Sequence, residues 1–203
     1  KVLADEKLVL STTNDLNGNG GSLESKEVSL KSNQGNVDLN TKITASDKLD
    51  ITSNGNLSLK NSITSQNSIN LQSGGNQTIN GDIQTNQINS IATNGDIYTN
   101  GKIVAQDSIN FNAAKNLSLN GELNTKQLVA NAQSSDLTAN ITADNSFSLN
   151  TTGNINANGG SISSKEIAIK STAGNVDLNT KITASDKLDI NSNGNLTLKN
   201  SIN

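Results

Sequence analysis

The stretch GNVDLNTKITASDKLDITSNGNLSLKNSI, Gly35 to Ile63, recurs as GNVDLNTKITASDKLDINSNGNLTLKNSI, Gly174 to Ile202, with changes only at Thr52/Asn191 and Ser58/Thr197. The offset between the copies is 174 − 35 = 139 residues. Inside this long period lies a short one. Segments that open with alternating apolar residues begin at Leu8, Val28, Leu49, Ile69, Ile88, Ile109, Leu128, Phe147, Ile167 and Leu188, in steps of 19 to 21 residues. The seven steps from Leu8 to Phe147 sum to the same 139. A unit of about 20 residues is too short to bury a core alone, so it must be covered by its neighbours along a solenoid.

Each unit divides into short pieces of period two, such as Leu49-Asp50-Ile51, Leu57-Ser58-Leu59 and Ile63-Thr64-Ser65. That period belongs to strands with one buried face. Gly and Asn between the pieces are expected to supply positive-φ corners. No apolar i, i+3, i+4, i+7 run competes, and Ser, Thr and Asn are poor interior helix residues, so helix should be absent. The expected fold is all-β: a parallel β-helix of about ten coils, three short strands per coil, forming one unit over residues 1–203. At about 4.8 Å per coil it would be a rod of about 48 Å.

Stacking like positions gives the expected core. The first strand contributes Leu10, Leu30, Ile51, Leu71, Phe111, Leu149, Ile169 and Ile190. The second contributes Leu16, Val37, Leu57, Ile97, Leu117, Leu137, Ile155, Val176 and Leu196. The third opens with Leu23, Ile43, Ile63, Ile83, Ile103, Leu123, Ile141, Ile162 and Ile182, followed two residues on by a small side chain, from Ala4 and Ser25 to Ala184. Small residues suit inward positions at a corner, where space is short.

Two polar columns flank the second strand. Asp15, Asn36, Asn56, Asn76, Asp96, Asn116, Asp136, Asn154, Asn175 and Asn195 precede it. Asn19, Asn40, Asn80, Asn100, Asn120, Asn140, Asn158 and Asn179 follow it, with Lys60 and Lys199 as exceptions. Such columns are read as structural ladders of stacked carboxamides.

Composition narrows the chemistry. Hydrophobic residues make up 32% and aromatics 1%, which alone leans towards disorder; the positions of the apolar residues reverse that reading. With no His or Cys there is no ordinary zinc site, disulfide, thiol nucleophile or His base. Net charge is −3 and every basic residue is Lys, so no basic face for nucleic acid is expected. No apolar run reaches the roughly 20 residues of a membrane span. Neither does the opening Lys1-Val2-Leu3-Ala4-Asp5-Glu6 form a secretory signal.

Asp47 with Asp50, and their copies Asp186 with Asp189, are the nearest approach to paired carboxylates, but Lys48 and Lys187 beside them indicate a solvated surface. Gly74-Gly75-Asn76 and Gly20-Gly21-Ser22 are only fragments of the glycine- and aspartate-rich calcium repeat. The N-x-S/T triplets at Asn56, Asn76, Asn116, Asn140, Asn150 and Asn195 are expected from composition. Tyr98 and Phe147 are too isolated for a sugar-stacking platform. No catalytic, cofactor or metal residue is therefore assigned.

The pattern from Gly174-Asn175-Val176-Asp177-Leu178-Asn179 to Ala184 resembles the haemagglutinin repeats of filamentous-haemagglutinin-type exoproteins, and the likeness extends over essentially the whole chain. The resemblance implies a right-handed coil in a large bacterial protein of the two-partner secretion class. Such a protein is exported through an outer-membrane transporter partner and displayed at the cell surface as an adhesin or a contact-dependent growth inhibition stalk that meets a host or neighbouring-cell receptor. The chain starts within a third-strand segment and stops as the next begins, so a piece of a longer array is expected, and uncapped coils would stack end to end. The rival readings are a glycan- or surface-binding module and a β-helical polysaccharide lyase. Irregular outward residues such as Asp50, Asn70, Asn89, Asn110, Ser148 and Ala168 weigh against a regular binding face, and the uniform unit length leaves no insertion to wall a lyase groove.

Overall fold

A computed structural model describes residues 1–203, and it contains strands and turns but no helix. Every inter-strand pairing is parallel and joins residues about one repeat apart. Leu8 pairs with Val28, Val28 with Leu49, Leu49 with Ile69, and so on through Ile167 with Leu188. The ten apolar starts of the sequence repeat thus form one straight column, and the chain is a β-solenoid of ten coils. Coils are numbered here from 1, which opens at Leu8, to 10, which opens at Leu188.

The strands are short where corners break the pairing, as in Leu57–Leu59, Ile63–Ser65 and Ser68–Ser73. Elsewhere pairing continues around the bends, so Leu16–Ser32 and Val37–Ser53 are single 17-residue strands with register shifts at the corners. Inward residues from all three faces form one apolar cluster running from Leu8 to Ile182. Inside it, residue volumes compensate between coils. Phe111 stacks between Ser90 and Ala130, two small residues in the same column.

The second column departs from expectation at coil 7. There Ser135, not Leu137, stacks on Leu117 and under Ile155, while Leu137 pairs with Leu119 and Ala157. The slip has a geometric cause. Residues opening the second and third strands are six apart in most coils, as in Leu117 and Leu123, whereas Leu137 and Ile141 are only four apart. Placing Ser135 in the column restores the six-residue span, at the cost of a first corner that leaves only Gln133 between the two strands. Two polar assignments move with it. Ser134 takes the place expected for Asp136, and Thr138 follows the strand in place of Asn140.

Position 77, in coil 4, is the other exception. Gln77 sits in the second column between Leu57 and Ile97 with no exposed surface.

Candidate functional site

The corner before the second strand is the most regular polar feature of the molecule. The backbone N–H of Asn36 donates to Asp15 Oδ1 (2.7 Å), that of Asn56 to Asn36 Oδ1 (2.8 Å), and that of Asn76 to Asn56 Oδ1 (2.8 Å). The series continues to Asp96 and Asn116, and resumes from Asn154 to Asn175 and Asn195. Each side chain therefore serves as an acceptor for the next coil's amide. This explains why Asp substitutes freely for Asn there, which a ladder of mutually bonded carboxamides would not allow. No Asn has positive φ; that conformation is confined to Gly20, Gly21, Gly121, Gly159 and Gly160. The corner asparagines act through their side-chain oxygens rather than through backbone permissiveness.

The column after the second strand does form a carboxamide ladder. Asn100 Nδ2 donates to Asn80 Oδ1 (2.7 Å), Asn120 Nδ2 to Asn100 Oδ1 (3.1 Å), and Asn179 Nδ2 to Asn158 Oδ1 (2.9 Å). Lys60 and Lys199 leave this row and pair with Asp38 and Asp177.

A third device was not read from the sequence. Ser32, Ser53, Ser73, Thr151, Ser171 and Ser192 close the first strand facing inwards and bond the backbone of the adjoining corner. Ser53 Oγ, for example, lies 3.0 Å from Gly35 O and 2.9 Å from Asn56 O and shares its one proton between them. The signal was present in the sequence as a small residue four positions after each apolar start.

Candidate chemical groups fall within this scaffold. Asp50 accepts from Lys48 Nζ (2.9 Å) and Asn70 Nδ2 (2.8 Å), and Asp47 from Asn67 Nδ2 (2.6 Å). The hydrogen bond to Asp50, reinforced by its charge, raises the Lys48 pKa. Asp186 and Asp189, in the copy, lie exposed, and Asp186 accepts from Ser185. No three acidic side chains converge as a metal site requires. Asn56, Asn76, Asn116 and Asn195, four of the N-x-S/T asparagines, belong to the corner series.

Phe147 is buried, while Tyr98 lies on the surface between Thr78 and Ser118 and donates to Asp96 Oδ2 (2.9 Å). That bond, with partial burial and the negative charge, raises the phenol pKa. A cavity of about 340 Å³ is an open groove along the third face lined by residues including Thr64, Asp82, Gln84 and Lys102. Its charges are already engaged: Asp82 Oδ1 accepts the Lys102 amide, and Lys102 Nζ binds Glu122 (2.9 Å). Lys102 and Asn124 together hold the Glu122 pKa below its ordinary value.

The polar groups described are thus spread along the coils, most of them in bonds between neighbouring coils. No protein-family model, curated protein or solved structure matches this chain. The structure has no helix long and apolar enough to cross a membrane.

Proposed function

We propose that this chain is a stalk segment of a large bacterial surface exoprotein of the two-partner secretion class, holding adhesive or toxin-delivery regions away from the cell. The observation that supports this reading is the continuous stacking: ten coils pair in series without an inserted loop, and the polar columns at their corners are engaged in coil-to-coil bonds. A rod of this kind sets reach and has no catalytic role. It also suits export in extended form, since each coil bonds mainly to its neighbours and needs no disulfide. The repeat pattern at Gly174 to Ala184 supplies the link to the exoprotein class, with its outer-membrane transporter, receptor and surface location.

Antibody to residues 1–203 tests the proposal on the bacterium that encodes the chain. Surface staining that disappears when the partner transporter gene is deleted is the expected result. Staining confined to the cytoplasm, or unaffected by that deletion, would overturn it.

A further inference from the structure

The first face of the solenoid carries a charge pattern that is complementary to itself when read backwards. Three outward rows run along this face. One row passes through Glu27, Lys48, Ser68, Gln87, Ser108, Gln127, Ser146, Glu166 and Lys187 in coils 2 to 10. The next holds Asp50 in coil 3 and Asp189 in coil 10, and the last holds Lys31 in coil 2 and Lys170 in coil 9. Between these charged ends, coils 4 to 8 present no ionic group in any row of the face.

We propose that two copies of this chain pack through this face with their axes antiparallel, about a two-fold axis at coil 6. Such an axis, lying along the strand direction, sets coil n against coil 12 − n and each row against itself. Glu27 then meets Lys187 and Lys48 meets Glu166, each twice by symmetry. Ser68 meets Ser146, Gln87 meets Gln127, and Ser108 meets itself. Diagonally, Asp50 lies between Lys170 and Glu166, and Asp189 between Lys31 and Glu27. No like charges are directly opposed.

The alternatives are worse. A slip to 11 − n sets Glu27 against Glu166, and a slip to 13 − n sets Lys48 against Lys187. Parallel packing brings Glu27 to Lys31 and Glu166 to Lys170, but places Asp50 on Asp50 and Asp189 on Asp189. Like charges opposed across an interface cost affinity, so the pattern disfavours the neighbouring registers and the parallel orientation, and the 12 − n register opposes more acid–base pairs directly than any other antiparallel one. Its origin is the 139-residue copy: an acid followed one coil later by a base, repeated seven coils on, is its own complement when reversed.

The groups are free to serve. Lys31, Glu166, Lys170, Lys187 and Asp189 are exposed and form no salt bridge within the chain. Glu27 and Lys48 do have local partners, Lys7 (3.2 Å) and Asp50 (2.9 Å), but keep 42% and 46% of their side chains accessible. The area also suffices. Nine coils at about 4.8 Å by five residues at about 3.3 Å give a face of about 700 Å². Two such faces bury about 1,400 Å², inside the usual range of about 1,200–2,000 Å² for a specific pair.

The mass in solution, followed by sedimentation across concentration and salt, tests this on the whole chain. A dimer of the 21.1 kDa chain is expected at low ionic strength, with salt loosening it. Lys48→Glu alone and Glu166→Lys alone each set two like pairs across the dyad and should weaken the dimer at least tenfold. An equimolar mixture of the two variants should dimerise as tightly as the native chain, because every opposed pair in the mixed dimer is again acid to base. Circular dichroism of each variant confirms folding. A native chain that stays monomeric at low salt, variants that dimerise unchanged, or a mixture that fails to recover would overturn the proposal.

Discussion

Gln77 is the only buried polar side chain larger than Ser or Thr, and it sits where neighbouring coils place Leu57 and Ile97. Its amide group is satisfied from three directions. Ser90 Oγ donates to its Oε1 (2.6 Å), and its Nε2 donates to the carbonyl oxygens of Ile91 and Leu71. Removing one member of a buried bonded pair strands the other, whereas removing both leaves an ordinary apolar contact. Gln77→Leu should therefore cost about 1–3 kcal/mol in denaturant unfolding, and Gln77→Leu with Ser90→Ala should cost less than the single change. Equal and additive losses would show that the two side chains are not coupled.

Tyr98 gives a second test at this scale, and a clean optical one, since it is the only tyrosine and there is no Trp. Its phenol donates to Asp96, which holds the proton on the ring, so its absorbance should titrate above the ordinary value of about 10. A folded-state pKa raised in this way means that its share of stability is complete below the unfolded value and is lost as pH rises through the folded one. Asp96→Asn keeps an oxygen for the Asn116 amide but removes the charge. The titration midpoint should fall towards the ordinary value with little change in melting temperature.

At the scale of the single coil, coil 7 shows how far the sequence could be read. Alternation, repeat length and the first and third columns were legible, because an apolar start followed by x-apolar admits one facing. The second strand of coil 7 was not, since Leu137 alternates equally well from either side. Only the four-residue gap to Ile141 separates the two registers, and that gap has meaning only once the six-residue span of the other coils is imposed. The corner columns were visible as positions, but their bonding was not. Backbone donors carry no mark in the sequence, so a row of Asn and Asp reads as side chain on side chain. The charge symmetry of the first face needed the observed register of all its rows.

The shortened corner leaves Ser135 Oγ buried among Leu117 and Ile155 without a partner, unlike Ser53, whose hydroxyl bonds two carbonyls. Ser135→Ala should leave stability unchanged or raised, because no bond is lost and a desolvated hydroxyl is removed. Ser53→Ala should cost about 1 kcal/mol, the usual net value of a hydrogen bond in a fold. Parallel chemical denaturation of the two variants compares them directly, and equal losses would contradict the assigned roles.

For the whole molecule, the 139-residue offset is a distance as well as a sequence repeat. Gly35 and Gly174 occupy equivalent places seven coils apart, so the chain enters residue 174 in the same geometry in which it enters residue 35. A second copy of residues 35–173 inserted after residue 173 would therefore meet matching residues at both seams. The corner acceptor would carry across the new seam, because Asn154 Oδ1 would meet the Asn36 amide of the copy as it meets that of Asn175. The result should be a rod of seventeen coils, longer by seven strand spacings, or about 34 Å. In a quasi-one-dimensional array each added coil brings a further neighbour interface, so the longer rod should also resist denaturant better than the native chain. Small-angle scattering measures the first effect as an increase in maximum dimension, provided Glu166→Lys is included in every copy to keep the chains apart. A maximum dimension or denaturant resistance no greater than that of the native chain would contradict the equivalence of the two seams.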